Sequence, residues 1–337
     1  MIVDRYYFAQ LNKQEQAVYK AFYKGLMAHE DVIPIPIKGQ LPKETFDKIF
    51  LAMTRDNPLI YYVNQSACNW ATDMFGHTAI CPQYFYNKET VKKYNRKIEE
   101  VVNNLAAQLK LTEGTDYDKE LRVHDWFCKN VEYDFHGADV SDLNRVILSH
   151  NIIGVFANKK AQCEGIAKAV KVLLNAVDIK CIVATGDADA DGSREHHAWN
   201  IVDIDGSLYQ LDVTWDIGVS QGRVAYDYFN VTDEIIGKTH MAEDKLPRCT
   251  SLKDNYFERN GLTFKSKGQL IAYITKALNQ GQTEFYFRTD GMFMKFRRSE
   301  LAGIVAKLAA GGNGRAVRVQ QVPNEKVGTY WIEILVN

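Results

Sequence analysis

The stretch His197-Ala198-Trp199-Asn200-Ile201-Val202-Asp203-Ile204 is followed by Asp205-Gly206 and then by Ser207-Leu208-Tyr209-Gln210-Leu211-Asp212. Two strand-like runs on either side of Asp-Gly are the strongest short-range signal for a β-hairpin, because a tight turn of this kind needs positive φ. A two-residue loop sets the register, so that Ile204 faces Ser207 and Trp199 faces Asp212. Side chains alternate along a strand, which puts His197 and Trp199 on one face. Asp212 then lies on that face as the diagonal neighbour of His197, roughly 7 Å away before the side chains reach toward each other. An imidazole and a carboxylate so placed form the base–orienter half of a triad. A slip of one residue would send Asp212 to the other face, so the pairing depends on the turn. His196 is the rival base, but alternation points it away from Asp212.

A nucleophile for that pair stands upstream, in Lys160-Ala161-Gln162-Cys163-Glu164-Gly165. The apolar positions Ile166, Ala167, Val170, Leu173, Leu174 and Val177 recur at helical period and predict a buried helix with Cys163 in its first turn. Unpaired N–H groups and the partial positive charge of a helix N-terminus stabilise a thiolate, the nucleophilic form of cysteine. Taken alone, Cys163 also reads as a small apolar core residue. The His197–Asp212 pair is what favours the chemical reading.

Cysteine at a helix start, His-Ala-Trp opening one strand and Leu-Asp-Val-Thr-Trp-Asp closing the next resemble the transglutaminase-like superfamily. The resemblance runs from about Asp118 to about Tyr228. It includes His124-Asp125-Trp126, Asn130 and Tyr133-Asp134 on the helix before the catalytic one, and Gly154 to Gly165 on the approach to the nucleophile. It implies a papain-like core in which Cys163 is the nucleophile, His197 the base and Asp212 its orienter. It also implies a thioester intermediate on an amide or ester substrate. Water as acceptor gives a peptidase or amidase, an amine gives a cross-linking transglutaminase, and a protein-interaction module that kept the fold is the non-catalytic alternative. The oxyanion needs hydrogen-bond donors, of which the Cys163 backbone N–H is the natural first. Gln65, Trp70, Tyr133 and Gln162 are chemically able to be the second, and the sequence does not choose among them.

The chain has 337 residues, long enough for about two domains. Lys+Arg 41 against Asp+Glu 42 gives a formal charge of −1, without the basic excess that nucleic acid or an anionic membrane surface would require. No apolar run is long enough for a membrane-spanning helix. Met1-Ile2-Val3-Asp4-Arg5-Tyr6 lacks a basic segment leading into an apolar one, so the expected location is cytoplasmic. The cysteines Cys68, Cys81, Cys128, Cys163, Cys181 and Cys249 form no C-x-x-C pair and read as reduced thiols. No cofactor or metal is implied, and the expected partner is a peptide or protein substrate.

Around the core, residues 1–95 read as a mainly helical N-terminal region. The stripe Phe46, Ile49, Phe50, Met53 stops at Asn57-Pro58, and a looser one runs Leu11, Val18, Phe22, Leu26. Val32–Ile37 is extended because Pro34 and Pro36 cannot both sit in a helix. A long helix carries Val91, Tyr94, Ile98, Val101, Val102 and Leu105 on one face. Residues 96–248 form the catalytic core and residues 249–337 a small α/β domain. Within the latter, helices near Leu270–Leu278 and Glu300–Leu308 alternate with strands near Glu284–Phe287, Ala316–Gln320 and Tyr330–Leu335. The expected fold class is α+β.

Two motifs are set aside. Asp187-Ala188-Asp189-Ala190-Asp191-Gly192 imitates a calcium loop, but the twelfth position is Ala198, so a solvated turn is the better reading. Gly311-Gly312-Asn313-Gly314 follows a helix and reads as a cap and turn, not a dinucleotide site. Trp215 and Tyr226–Phe229 read as core aromatics in preference to a substrate groove.

Overall fold

The computed structural model describes residues 5–139, 141–189, 192–219, 222–290, 294, 296, 299–311 and 317–335. After the short helix α1 (Tyr6–Gln10), Asn12 and Glu15 form a reciprocal capping box that starts α2 (Lys13–Ala28). The face Val18, Phe22, Leu26 of α2 meets α3 (Lys43–Asp56), where the Phe22 ring packs on Phe46 and Phe50. Between these helices the Ile-Pro repeat forms strand β1 (Ile33–Lys38). It pairs with β3 (His77–Cys81), which pairs in turn with β2 (Asn69–Thr72), giving the order β1-β3-β2. The N-terminal region is thus less helical than its sequence suggests. Strands β2 and β3 are short, and only Thr78 and Ile80 among their residues are buried, so no period-2 apolar pattern announces them.

Helix α4 (Lys88–Gln108) buries Val91, Ile98, Val102 and Leu105 and runs unbroken across residue 95. One hydrophobic core continues from Tyr7 and Phe22 through Ile98 to Phe127, Leu173 and Tyr209, so the N-terminal region packs on the centre of the molecule without a seam. In the centre, a Thr115–Asp118 capping box opens α5 (Asp116–Asn130). Strand β4 (Glu132–Tyr133) follows, then α6 (Leu143–Ser149), α7 (Ile152–Asn158) and β5 (Lys160–Ala161), which lies parallel to β4. Helix α8 (Cys163–Asn175) starts two residues beyond β5.

Helix α8 is buried along almost its whole length, with only Glu164 and Lys168 partly exposed. Even Lys171 is buried, its Nζ donating to the Cys181 carbonyl. Against α8 lies an antiparallel sheet made of β6 (Cys181–Asp189), β7 (Arg194–Ile204) and β8 (Ser207–Leu211). Helices α9 (Val213–Val219) and α10 (Asp233–Ile236) follow, and β9 (His240–Ala242) completes the sheet in the order β8-β7-β6-β9. The hairpin register is as the turn predicts, Ile204 opposite Ser207 and Asn200 opposite Leu211. Asp205 and Gly206 take φ of 50° and 81°, the pair of positive values the tight turn requires.

The C-terminal unit follows α11 (Tyr256–Arg259). It comprises β10 (Thr263–Phe264), α12 (Lys267–Asn279), β11 (Glu284–Thr289), α13 (Glu300–Ala310), β12 (Arg318–Asn324) and β13 (Thr329–Leu335), with sheet order β10-β11-β13-β12. It has its own core, including Leu270, Ile274, Phe285, Phe287, Leu301 and Ile332. Polar ties fix it to the centre: Tyr286 and Asn324 both donate to Asp227, and Arg223 pairs with Glu333 while lying over the Trp331 ring. The chain is an α+β protein. No helix among the described residues is long and apolar enough to cross a membrane, and the described cysteines are thiols.

The calcium-like run spans the end of β6 and the turn into β7, where Asp189 accepts from the Gly192 N–H; Ala190 and Asp191 lie outside the described residues. Gly311 caps α13 in the left-handed region at φ 59°, and residues 312–314 lie outside the described residues.

Gly165, in the first turn of α8, tests how the helix that begins at Cys163 is seated. A Cβ there would come within 2.5 Å of the Ser149 carbonyl oxygen and 3.0 Å of that of Asn151. In an open helix Gly→Ala stabilises by up to about 1 kcal/mol, but overpacking against unyielding backbone costs about 1–3 kcal/mol. Gly165→Ala is therefore expected to destabilise the protein in urea titration. A variant as stable as wild type would show that this close approach does not hold α8.

Candidate active site

His197 lies on β7 and Asp212 immediately after β8, on the shared face that the hairpin register dictates. Their side chains meet, with Nε2 of His197 2.7 Å from Oδ2 of Asp212. The Cys163 thiol lies near the same imidazole, close enough to strengthen its hold on a proton. Cys163 is the first residue of α8, its side chain packed among Ala167, Val183, Ala198 and Tyr133. His196 points the other way, with its side chain 68% exposed and 3.9 Å from Asp187. The structure therefore brings Cys163, His197 and Asp212 together and leaves the rival histidine outside.

Asp212 also begins α9. Its Oδ1 accepts from the Trp215 N–H at 3.1 Å, an N-cap arrangement. Its Oδ2 accepts from a second imidazole, with Nε2 of His240 at 2.9 Å. His240 belongs to β9 and was not among the residues suggested by the sequence. It is remote in the chain, and no local motif marks it. Around these groups the rings of Trp199, Trp215 and Tyr228 pack on His240 with centroids 5.1, 4.5 and 5.7 Å away. Trp199 is itself held by its indole N–H, which donates to Gln210 at 2.7 Å.

Burial works against a charged His197. The Asp212 charge, its hydrogen bond and the Cys163 contact outweigh burial and push the imidazole up to about 10. Burial would likewise raise Asp212, but the His197 charge and the bonds from both histidines hold its carboxyl well below the usual range. His240 is pulled below its ordinary value, first by burial, against its bond to Asp212. At neutral pH the set is an imidazolium at His197, a carboxylate at Asp212 and a neutral imidazole at His240. Atoms of these three residues lie within 4.8 Å of one another, close enough for a metal ligand set. Both nitrogens face the same carboxylate oxygen, at 2.7 and 2.9 Å.

A cleft of about 860 Å³ opens over His197. Its central-domain wall includes Tyr133, Trp215 and Tyr228, and the C-terminal unit contributes Tyr286, Asn324 and Trp331. Trp215 and Tyr228 pack in a buried cluster with Trp199, as expected of core residues, and also line the cleft, while Tyr226 and Phe229 belong to the main core. Of the candidate oxyanion donors, three are turned elsewhere. Gln65 faces Asp47 at 3.5 Å, Trp70 donates to the Leu41 carbonyl at 2.8 Å, and Gln162 faces the Asp134 carbonyl at 3.4 Å. Tyr133 alone of the four both packs on Cys163 and lines the cleft.

A second set of the same residue types, Cys128, His124 and Asp216, lies nearby. There a single nitrogen, Nε2 of His124, faces both Sγ of Cys128 at 3.6 Å and Oδ2 of Asp216 at 3.0 Å. Nδ1 of the same ring lies 3.5 Å from Oδ1 of Asp125, but burial pushes the Cys128 thiol up and none of these residues lines the cleft. Asp216 instead holds the Tyr228 N–H at 3.0 Å, fixing a wall of the cleft.

Residues 103–213 match the profile of the transglutaminase-like superfamily. The chain is 23% identical to the kyphoscoliosis peptidase of Mus musculus over 157 residues, 43% of its length. It is 22% identical to that of Homo sapiens over 161 residues, 44% of its length. Each match covers 23% of the relative, so the chain spans less than a quarter of the length of these proteins. A crystal structure of a TGase aligns with 54% of this chain and 50% of its own, at 16% identity and a TM-score of 0.31.

The site predicts a pH signature in stability. His197 holds its proton more tightly folded, at about 10, than unfolded, at about 6.5. Its pairing thus contributes in full below pH 6.5 and fades as pH rises toward 10. The Tm difference between wild type and His197→Ala should be largest near pH 6 and shrink by pH 10. A difference that stays constant over that range would contradict the charged pairing.

Proposed function

From the premise that residues 103–213 of this chain carry a transglutaminase-like superfamily core, we propose that the protein is a cysteine hydrolase, a peptidase that cleaves an amide bond through a thioester. The observation that carries this reading is His197 bonded to Asp212, with the Cys163 thiol near its ring, in the wall of an open cleft.

In this reading the thiol proton of Cys163 rests on His197, and an adjacent cation is the setting in which thiols react as thiolates. Sγ attacks the substrate carbonyl carbon, and the carbonyl electrons move onto oxygen. The oxyanion is met by the Cys163 backbone N–H, a first-turn donor with no partner inside its own helix, and by the Tyr133 hydroxyl. As the tetrahedral species collapses, the C–N bond breaks and His197 gives its proton to the departing amine, leaving a thioester. His197 then takes a proton from water as the hydroxyl attacks the thioester carbonyl. Collapse releases the acid and restores the sulfur. Asp212 keeps the ring oriented throughout and stabilises its charged form. The aromatic walls of the cleft suit a peptide with bulky apolar side chains.

Iodoacetamide labelling of Cys163, read by mass spectrometry across pH, tests the pair without a known substrate. Labelling below pH 7 should outpace that of the other cysteines and collapse in His197→Ala; unchanged labelling in that variant would overturn the reading. With unfolded casein as acyl donor and a fluorescent primary amine present, cleavage without amine incorporation is expected, whereas incorporation would point to transfer. Cys163→Ala should abolish turnover while leaving the Tm near wild type. Tyr133→Phe should lower kcat about 100-fold, the usual effect of losing one oxyanion donor.

A further inference from the structure

We infer that His240 is a positioning residue for the triad, holding Asp212 in place for His197 by donating its Nε2–H to Asp212 Oδ2. This inference rests on the reading of Cys163, His197 and Asp212 as the reacting set. The two imidazoles converge on the same oxygen, at 2.7 Å from His197 and 2.9 Å from His240, while Oδ1 is held by the Trp215 N–H. With all three donors in place the buried carboxylate cannot turn without breaking a hydrogen bond. Without His240, Oδ2 keeps only the bond it makes to the base it is meant to orient.

The proton on His240 is assigned by its other neighbour. Thr239 Oγ1 lies 2.8 Å from Nδ1 and 3.2 Å from the Ile236 carbonyl. A threonine hydroxyl has one proton to give. Given to Ile236, it would oblige Nδ1 to carry the ring proton and would set a bare Nε2 lone pair against a carboxylate at 2.9 Å. Given to Nδ1, it places the proton on Nε2, aimed at Asp212. Burial of His240 favours the neutral ring, and of its two tautomers only the second aims a donor at Asp212.

The fold also secures His240 from behind. Strand β9 pairs with β6 through Gly186 opposite Ala242 and Ala188 opposite His240. Gly186 makes that approach feasible, because a Cβ there would fall 2.1 Å from the Met241 carbonyl oxygen. The ring is wedged among Trp199, Trp215 and Tyr228. The other titratable groups facing the set are Cys163 from α8, Tyr133 from β4 and Tyr228, with Glu195 on β7 and Asp227 beside Tyr228 as the nearby acids. No other histidine or cation among the residues described here bonds to Asp212.

The test is the pH profile of Cys163 alkylation by iodoacetamide in the full chain, comparing wild type, His240→Gln, His240→Phe and Thr239→Val. A glutamine amide can both accept from Thr239 and donate to Asp212; phenylalanine keeps the ring volume but can do neither. With Asp212 loosened, His197 holds its proton less firmly. In His240→Phe the inflection of the labelling rate should therefore move up in pH, with a several-fold loss of rate at pH 6. His240→Gln should restore most of the wild-type profile. Thr239→Val, which leaves His240 in place but unties its tautomer, should shift the inflection in the same direction by less, and it covers the case in which His240→Phe does not fold. A role in packing alone would leave the profile of every folded variant unmoved. A profile that depends on His197 but is indifferent to His240→Phe and Thr239→Val would overturn this inference alone. A profile indifferent to His197→Ala would overturn both this inference and the functional reading beneath it.

Discussion

The arrangement of the central domain depends on burying one carboxylate. Asp212 is almost wholly out of water, and an ionised carboxylate so placed is tolerable only if its oxygens are met by donors or cations. Here the donors come from the β7 strand, the start of α9 and the β9 edge strand. Each of these segments must stop where it does for the carboxylate to be satisfied. The hairpin register, the short helix after β8 and the return of the chain to pair with β6 are therefore coupled through a single side chain. The electrostatic result is an imidazole that stays charged at neutral pH beside a thiol at the head of a buried helix.

A second constraint acts on the other side of the thiol. Helix α8 reaches its position only because Gly165 lets it sit against the carbonyls of Ser149 and Asn151, and because Gly154 admits the carbonyls of Leu148 and Lys160. The segment before α8 is drawn in further by Asp134, whose carboxylate takes bonds from Arg145 and Ser149 and is held well below its ordinary range, chiefly by the Arg145 bond. Tyr133, next to Asp134, is carried with it to the edge of Cys163. Cys163 and Tyr133 are thus placed by close backbone packing, and His197 and Asp212 by a hairpin. The cleft forms where these two structures meet and the C-terminal unit closes one wall.

Much of this was legible in the order of residues, and the reason is range. The turn at Asp205-Gly206 acts over two residues, and alternation then carries its consequence as far as His197 and Asp212. The start of α8 was legible because a single apolar helix needs no partner to be recognised. The N-terminal sheet was not, because β2 and β3 are short and mostly exposed, with no repeated apolar positions to mark them. That Trp215 and Tyr228 line the cleft as well as a core cluster is not legible either, because an aromatic residue looks the same in sequence whether it faces a cavity or a core.

The sequence by itself determined the local pieces: a thiol at a helix start, a hairpin that pairs an imidazole with a carboxylate, and the C-terminal helices and strands. Each follows from periodicity or turn chemistry within a dozen or so residues. Only the tertiary structure decided which pieces meet. It brought Cys163 to His197, placed Tyr133 beside Cys163 and set His240 behind Asp212. These are contacts between segments far apart in the chain, fixed by how closely backbones can approach at residues such as Gly165 and Gly186, and no periodicity encodes such an approach.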